Sequence, residues 1–199
     1  MHMSFERLMA LHCAPALAGV KPANMFTWHG CGRGEQNDIM RQYKARLKPC
    51  GINMEELCRC EKYTLVFIYR KLMLESHLDL PEARDILSAN GYDTKGSLRS
   101  KVSVLKEKLR HSKIFPHEIG LFLGYPAEDV KGFIANKGDG CKFCGSWKVY
   151  GDKERAVSAF KLYDYYRDFF CNELSNGNEL TEIIHSVQNG RETEAWSYE

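Results

Sequence analysis

Apolar positions recur at helical spacing in some stretches of the chain and at strand spacing in others. Phe5, Leu8, Met9 and His12 mark one side of a short helix that Ser4 can cap. Pro15 is expected to interrupt it, because a proline in that register removes a backbone hydrogen bond. Val20–Trp28 reads as a strand that Pro22 confines to an edge or shortens to its later part. Ile39, Met40, Tyr43 and Leu47 return to helical spacing, and Pro49 closes that helix. Ile52–Cys58 and Thr64–Arg70 then form a hairpin turning near Glu61 and Lys62. The β-branched and aromatic run Leu65–Tyr69 suits a central strand buried on both faces.

The second half is mostly helical in pattern. Pro81 and Gly91 bracket a helix over Pro81–Ala89. Leu98, Val102, Leu105 and Leu109 mark a longer one with a lysine- and arginine-rich outer face. Pro116 and Pro126 each stand where a helix starts, and Gly124 ends the first of these two. Ser146–Tyr150 reads as a short strand. Asp152 can cap a long helix reaching Leu174, and a last helix spans Glu179–Val187. This order predicts an α+β fold: a small, mostly antiparallel sheet of three to four strands covered by helices. One domain over residues 1–189 and a polar tail over 190–199 are expected.

Composition narrows the function classes. The 199 residues are 44% apolar and 27% charged, an ordinary globular balance. The net charge of +2 is spread without a basic stripe, so no nucleic-acid partner is expected. No apolar run approaches the roughly 18–20 residues that span a bilayer, so no membrane association is expected. The N-terminus has no secretory pattern. Eight cysteines in that setting point to a reducing cytoplasm rather than a disulfide framework.

The motifs Phe115-Pro-His-Glu-Ile-Gly120, Phe122-Leu-Gly-Tyr-Pro126 and Trp147-Lys-Val-Tyr150 carry a resemblance. His12-Cys13-Ala-Pro15, Lys21, Asn24, Phe26, Glu128-Asp-Val130 and Cys141-Lys142 extend it over nearly the whole chain. On these residues the chain resembles a bacterial family of unknown function, common in anaerobic Gram-positive organisms. The resemblance implies kinship without an activity. The family's similarity in gene company to small flavin and iron-handling proteins hints at redox or iron metabolism. The Cys141-x-x-Cys144 pair departs from its pattern.

Candidate chemistry follows from residue type and placement. Cys13 becomes a nucleophile if Pro15 opens a new helical turn, whose dipole would favour thiolate; if Cys13 instead closes the first helix, the thiol is inert. His117 and Glu118 are placed in the first turn of the helix after Pro116, where the dipole keeps an imidazole neutral and able to act as a base. Glu118 would support it. Lys21 offers an anion contact and Asn24 an oxyanion donor, although their odd separation sets them on opposite faces of a regular strand. Cys141 and Cys144 have the spacing of a zinc knuckle, with Cys58 and Cys60 as the available second pair. Gly30–Gly34 reads as a loop and lacks the spacing of a dinucleotide fingerprint. The aromatic run Tyr163–Phe170 reads as helix core.

Three function classes result. The first is a cysteine-dependent enzyme or redox accessory acting on a small molecule through Cys13 and His117. The second is a metal- or iron-handling protein using Cys141 and Cys144. The third is a non-catalytic partner of a flavin or electron-transfer protein, with Trp28, Trp147 or Trp196 in an exposed patch. No cofactor is named by the residues.

Overall fold

The computed structural model describes residues 3–29, 32–111 and 115–196, with side chains described as far as residue 190. The fold is α+β. Its first elements are α1 (Phe5–Leu17), β1 (Ala23–Trp28), α2 (Arg33–Leu47), β2 (Asn53–Arg59) and β3 (Thr64–Tyr69). Five helices follow: α3 (Lys71–Leu78), α4 (Pro81–Ala89), α5 (Leu98–His111), α6 (Ile119–Phe122) and α7 (Ala127–Ala135). A two-residue pair, β4 (Phe143–Cys144) and β5 (Lys148–Val149), precedes α8 (Lys153–Ser175) and α9 (Leu180–Trp196). The chain is organised as two compact units, one of Met1–Arg70 with Tyr163–Glu199 and the other of Lys71–Leu162.

In the first unit the sheet order is β1-β3-β2, antiparallel throughout. The continuous apolar run of β3 makes it the central strand, and all six of its residues are buried. Pro22 has no N–H to give a ladder, and β1 accordingly starts after it, at the sheet edge. Phe26 pairs with Val66, and Asn24 with Ile68. That face carries the core, where Met54, Val66 and Ile68 meet Met9, Cys13 and Leu17 of α1 and Ile183 and Ile184 of α9.

Ser4 caps α1 by accepting the Arg7 N–H at 3.3 Å. Pro15 does not interrupt this helix, which runs on to Leu17. Tertiary partners absorb the disruption. Asn24 Oδ1 accepts the Ala16 N–H at 3.1 Å, and Arg70 donates to the carbonyls of Ala16 (2.8 Å) and Leu17 (2.5 Å). A guanidinium on the last carbonyls also meets the negative end of the helix dipole. Helix α2 starts at Arg33 and so takes up Gly34, which the loop reading had excluded; Gly30 and Cys31 lie outside the described residues.

In the second unit α5 turns Leu98, Val102 and Leu105 inward. Asp152 caps α8 through the Arg155 N–H at 3.0 Å. Asp129 on α7 is buried and accepts the Trp147 indole N–H (2.6 Å) and the backbone N–H groups of Tyr150 (2.7 Å) and Gly151 (2.8 Å). One carboxylate thereby holds the β4–β5 hairpin on α7. Helix α9 extends past Val187 to Trp196, farther than its apolar stripe predicts.

Candidate functional site

The second unit contains a cleft of about 230 Å³ lined by Asn90, Lys108, Phe115, Pro116, His117, Glu118 and Ile134. Local sequence explains its floor. Pro116 opens a tight turn in which the Ile119 N–H bonds the Pro116 carbonyl (3.1 Å) and the Gly120 N–H bonds that of His117 (3.2 Å). The four residues of α6 follow. Gly124, at φ 74°, then closes the segment, with the Tyr125 N–H on the Gly120 carbonyl at 2.9 Å. His117 and Glu118 therefore precede the helix rather than forming its first turn. A helix of one turn sums only a few aligned peptide dipoles.

Their environments differ sharply. Glu118 is 3% exposed, and its Oε1 accepts from Lys108 Nζ at 2.6 Å and from the Tyr92 hydroxyl at 3.2 Å. Lys108 Nζ also donates to the Asn90 carbonyl at 2.7 Å, at the C-terminal end of α4, and lies 4.6 Å from the Tyr92 ring centre. Burial, followed by the Glu118 charge, pushes the Tyr92 phenol far above its usual range. The lysine side chain keeps 28% of its surface and the carboxylate 4%. Lys108 is thus the partner of the pair that keeps side-chain surface in the cleft, with its ammonium held between Glu118 and the Asn90 carbonyl. His117 is exposed at the rim, with its ring 5.0 Å from that of Phe133. Phe115 (50% exposed) and Ile134 (38%) supply apolar walls.

Cys13, Lys21 and Asn24 belong to the first unit. Cys13 lies inside α1 with no exposed surface. Burial pushes its thiol far above the usual range, which the Lys21 charge offsets only in part. The expected activation by a new helix start at Pro15 is corrected, because α1 continues through Pro15 and Cys13 sits near its negative end. Lys21 is 3% exposed, its ammonium 5.4 Å from the Tyr163 ring centre. Burial pulls its pKa down to about 8. Asn24 is engaged by α1, as described above.

Residues 9–184 match the family model described as "Protein of unknown function (DUF3793)". The chain belongs to this family. The match runs from α1 into α9 and so takes in both units. No curated protein and no solved structure matches the chain.

Cys141 is half-buried and Cys144 exposed, at the β4–β5 hairpin, whereas Cys58 and Cys60 belong to the other unit. Among the described residues no group of three His, Cys, Asp or Glu side chains is placed to hold a metal ion. Trp28 and Trp147 are buried, at 4% and 9% exposed, so neither forms the exposed patch expected of them; the side chain of Trp196 lies outside the described residues. Phe170 is core, and Tyr166 and Phe169 pack against it, while Tyr165 is 61% exposed.

Sequence reasoning missed Lys108, Tyr92 and the Cys50–His185 contact at 3.7 Å. For Lys108 a signal existed. Lys101 and Lys108 are seven apart, on the flank of the apolar stripe of α5, and Lys101 is itself buried and paired with Asp79 at 3.5 Å. For Cys50 and His185 there was none. Burial also raises the Cys50 thiol, so the pair favours the neutral thiol over thiolate.

Proposed function

We propose that this protein binds a small organic acid in the cleft beside Pro116, with His117 placed to exchange a proton with it. The observation that carries the reading is the asymmetric ion pair lining the cleft: the Glu118 side chain is 4% exposed and that of Lys108 28%. A buried ion pair is costly to desolvate and is weak evidence for stability alone. Here the pair fixes one ammonium in the lining of a concave, partly apolar site, where an incoming carboxylate would compete with Glu118 and the Asn90 carbonyl for it. Phe115 and Ile134 would cover the carbon portion. The cysteine-nucleophile reading loses support because Cys13 is buried as a neutral thiol.

The test follows the His117 ring resonances by NMR while acetate, butanoate and hexanoate are added. Affinity should rise with chain length, by up to about fourfold per methylene that leaves water. Lys108→Gln should weaken all three acids. Phe115→Ala, at an exposed position, should weaken hexanoate far more than acetate. The reading is wrong if the acids leave His117 unmoved at millimolar concentration while the variants keep the wild-type melting midpoint.

A further inference from the structure

A second concave site lies in the first unit, between α2 and β2, and its chemistry differs from that of the cleft beside Pro116. Asn37, Arg41 and Lys44 are spaced four and three apart on α2 and so form one stripe, all exposed. Opposite them stand Glu56 and Arg59 on β2. Three residues apart on a regular strand, these two would point to opposite faces. The register of β2 shifts between Glu56 and Cys58, so that Glu56 pairs with Val66 and Arg59 with Thr64, two residues apart on β3. This bulge puts both on the face that α2 covers, where the Thr64 hydroxyl donates to Gln36 Oε1 at 3.1 Å. The result is a groove of about 330 Å³ lined by Asn37, Met40, Arg41, Lys44, Glu56 and Arg59.

Its charges are unequal. Among the lining residues three cations face one carboxylate, and that carboxylate is taken: Glu56 Oε2 accepts from Arg59 Nε at 2.9 Å and from Nη2 at 2.5 Å. The pair fixes the guanidinium plane at the groove wall. Arg41 pairs with Asp38, but both side chains are largely in water, so the pair is weak and an incoming anion can compete with it. Among the described residues Lys44 makes no ion pair. Met40, 5% exposed and otherwise packed into the core, is the apolar residue in the groove lining.

We infer that this groove is a binding site for a small phosphorylated molecule, with the phosphate held by Arg41 and Lys44 and the carbon portion against Met40. A lysine supplies a compact charge and an arginine a planar fork, the combination that suits phosphate oxygens. The volume admits one small metabolite-sized ligand and no more. The site is independent of the cleft in the second unit, so either assignment can fail without the other.

The experiment uses the full chain and three probes: glycerol 3-phosphate, inorganic phosphate and glycerol. Backbone amide spectra report where each binds, and titration reports how tightly. Glycerol 3-phosphate should shift amides of α2 and β2 only, and bind several-fold more tightly than inorganic phosphate. Glycerol should not bind. Lys44→Gln and Arg41→Gln should each weaken the ester about tenfold, the scale of one lost charge-assisted hydrogen bond. Both residues are exposed, so the melting midpoint should stay put, and Lys95→Gln on the other unit should change nothing. Shifts scattered over basic residues of both units, or affinity indifferent to Lys44 and Arg41, would overturn the site. Equal affinity for ester and inorganic phosphate would overturn the role given to Met40.

Discussion

At the scale of single residues, two buried ionisable side chains show how context sets what a group does. Lys21 is taken from water with its ammonium near an aromatic ring and a thiol, and folding pulls its pKa from 10.5 down to about 8. Below pH 8 the folded and unfolded chains are both protonated, and the burial penalty is carried in full, on the order of 3 kcal/mol. Between pH 8 and 10.5 the unfolded chain holds more protons, so this residue makes stability rise with pH across that window. Lys21→Met should therefore be more stable than wild type at pH 7, by about 1–3 kcal/mol, and should lose that advantage by pH 10. Urea unfolding of both proteins at the two pH values checks it, and parallel pH curves would refute it. Asp129 is the opposite case, a buried carboxylate whose three donors leave it satisfied. Asp129→Ala strands an indole N–H and two backbone N–H groups, and should cost about 3 kcal/mol or more by thermal unfolding. A loss below about 1 kcal/mol would mean that water replaces the carboxylate.

At the scale of elements, close approach decides which positions admit a side chain. Gly132 on α7 lies so near Tyr150 that a Cβ there would stand 2.4 Å from the ring's Cγ. The contact brings α7 against β5 and lets Asp129 reach the backbone beyond it. Gly132→Ala should destabilise by about 1–3 kcal/mol through overpacking, even though alanine is the better helix former. Calorimetry showing a stabilised variant would instead place Tyr150 in a site free to move aside. The same scale explains α1 and Pro15. A proline in a helix costs about 3 kcal/mol when nothing compensates, but here it falls in the last turn and the exposed backbone groups find Asn24 and Arg70.

At the scale of the whole molecule, the distribution of thiols separates structure from reactivity. Cys60 and Cys144 are exposed, Cys58, Cys141 and Cys171 are half-buried, and Cys13 and Cys50 are buried. Among these seven thiols, alkylation with iodoacetamide near pH 7, read by mass spectrometry, should label Cys60 and Cys144 first. Cys13 should stay unlabelled until the protein unfolds; early labelling of Cys13 would restore the nucleophile reading. Much of the architecture was legible beforehand for local reasons. The Ser4 and Asp152 caps, the Pro81 start, the Gly124 stop and the doubly buried β3 each rest on a few adjacent residues, and each is found in place. What the sequence by itself determined about this protein is its α+β order of elements, the limit that Pro22 sets on β1 and the helix stop at Gly124, because turn chemistry and apolar periodicity act over a few residues. Only the tertiary structure decided that Cys13 is sealed in the core, that Lys108 reaches Glu118, and that a bulge brings Arg59 round to face α2. Those outcomes depend on burial and on pairings between distant residues, and no local pattern encodes the dielectric or the partner that a side chain meets after packing.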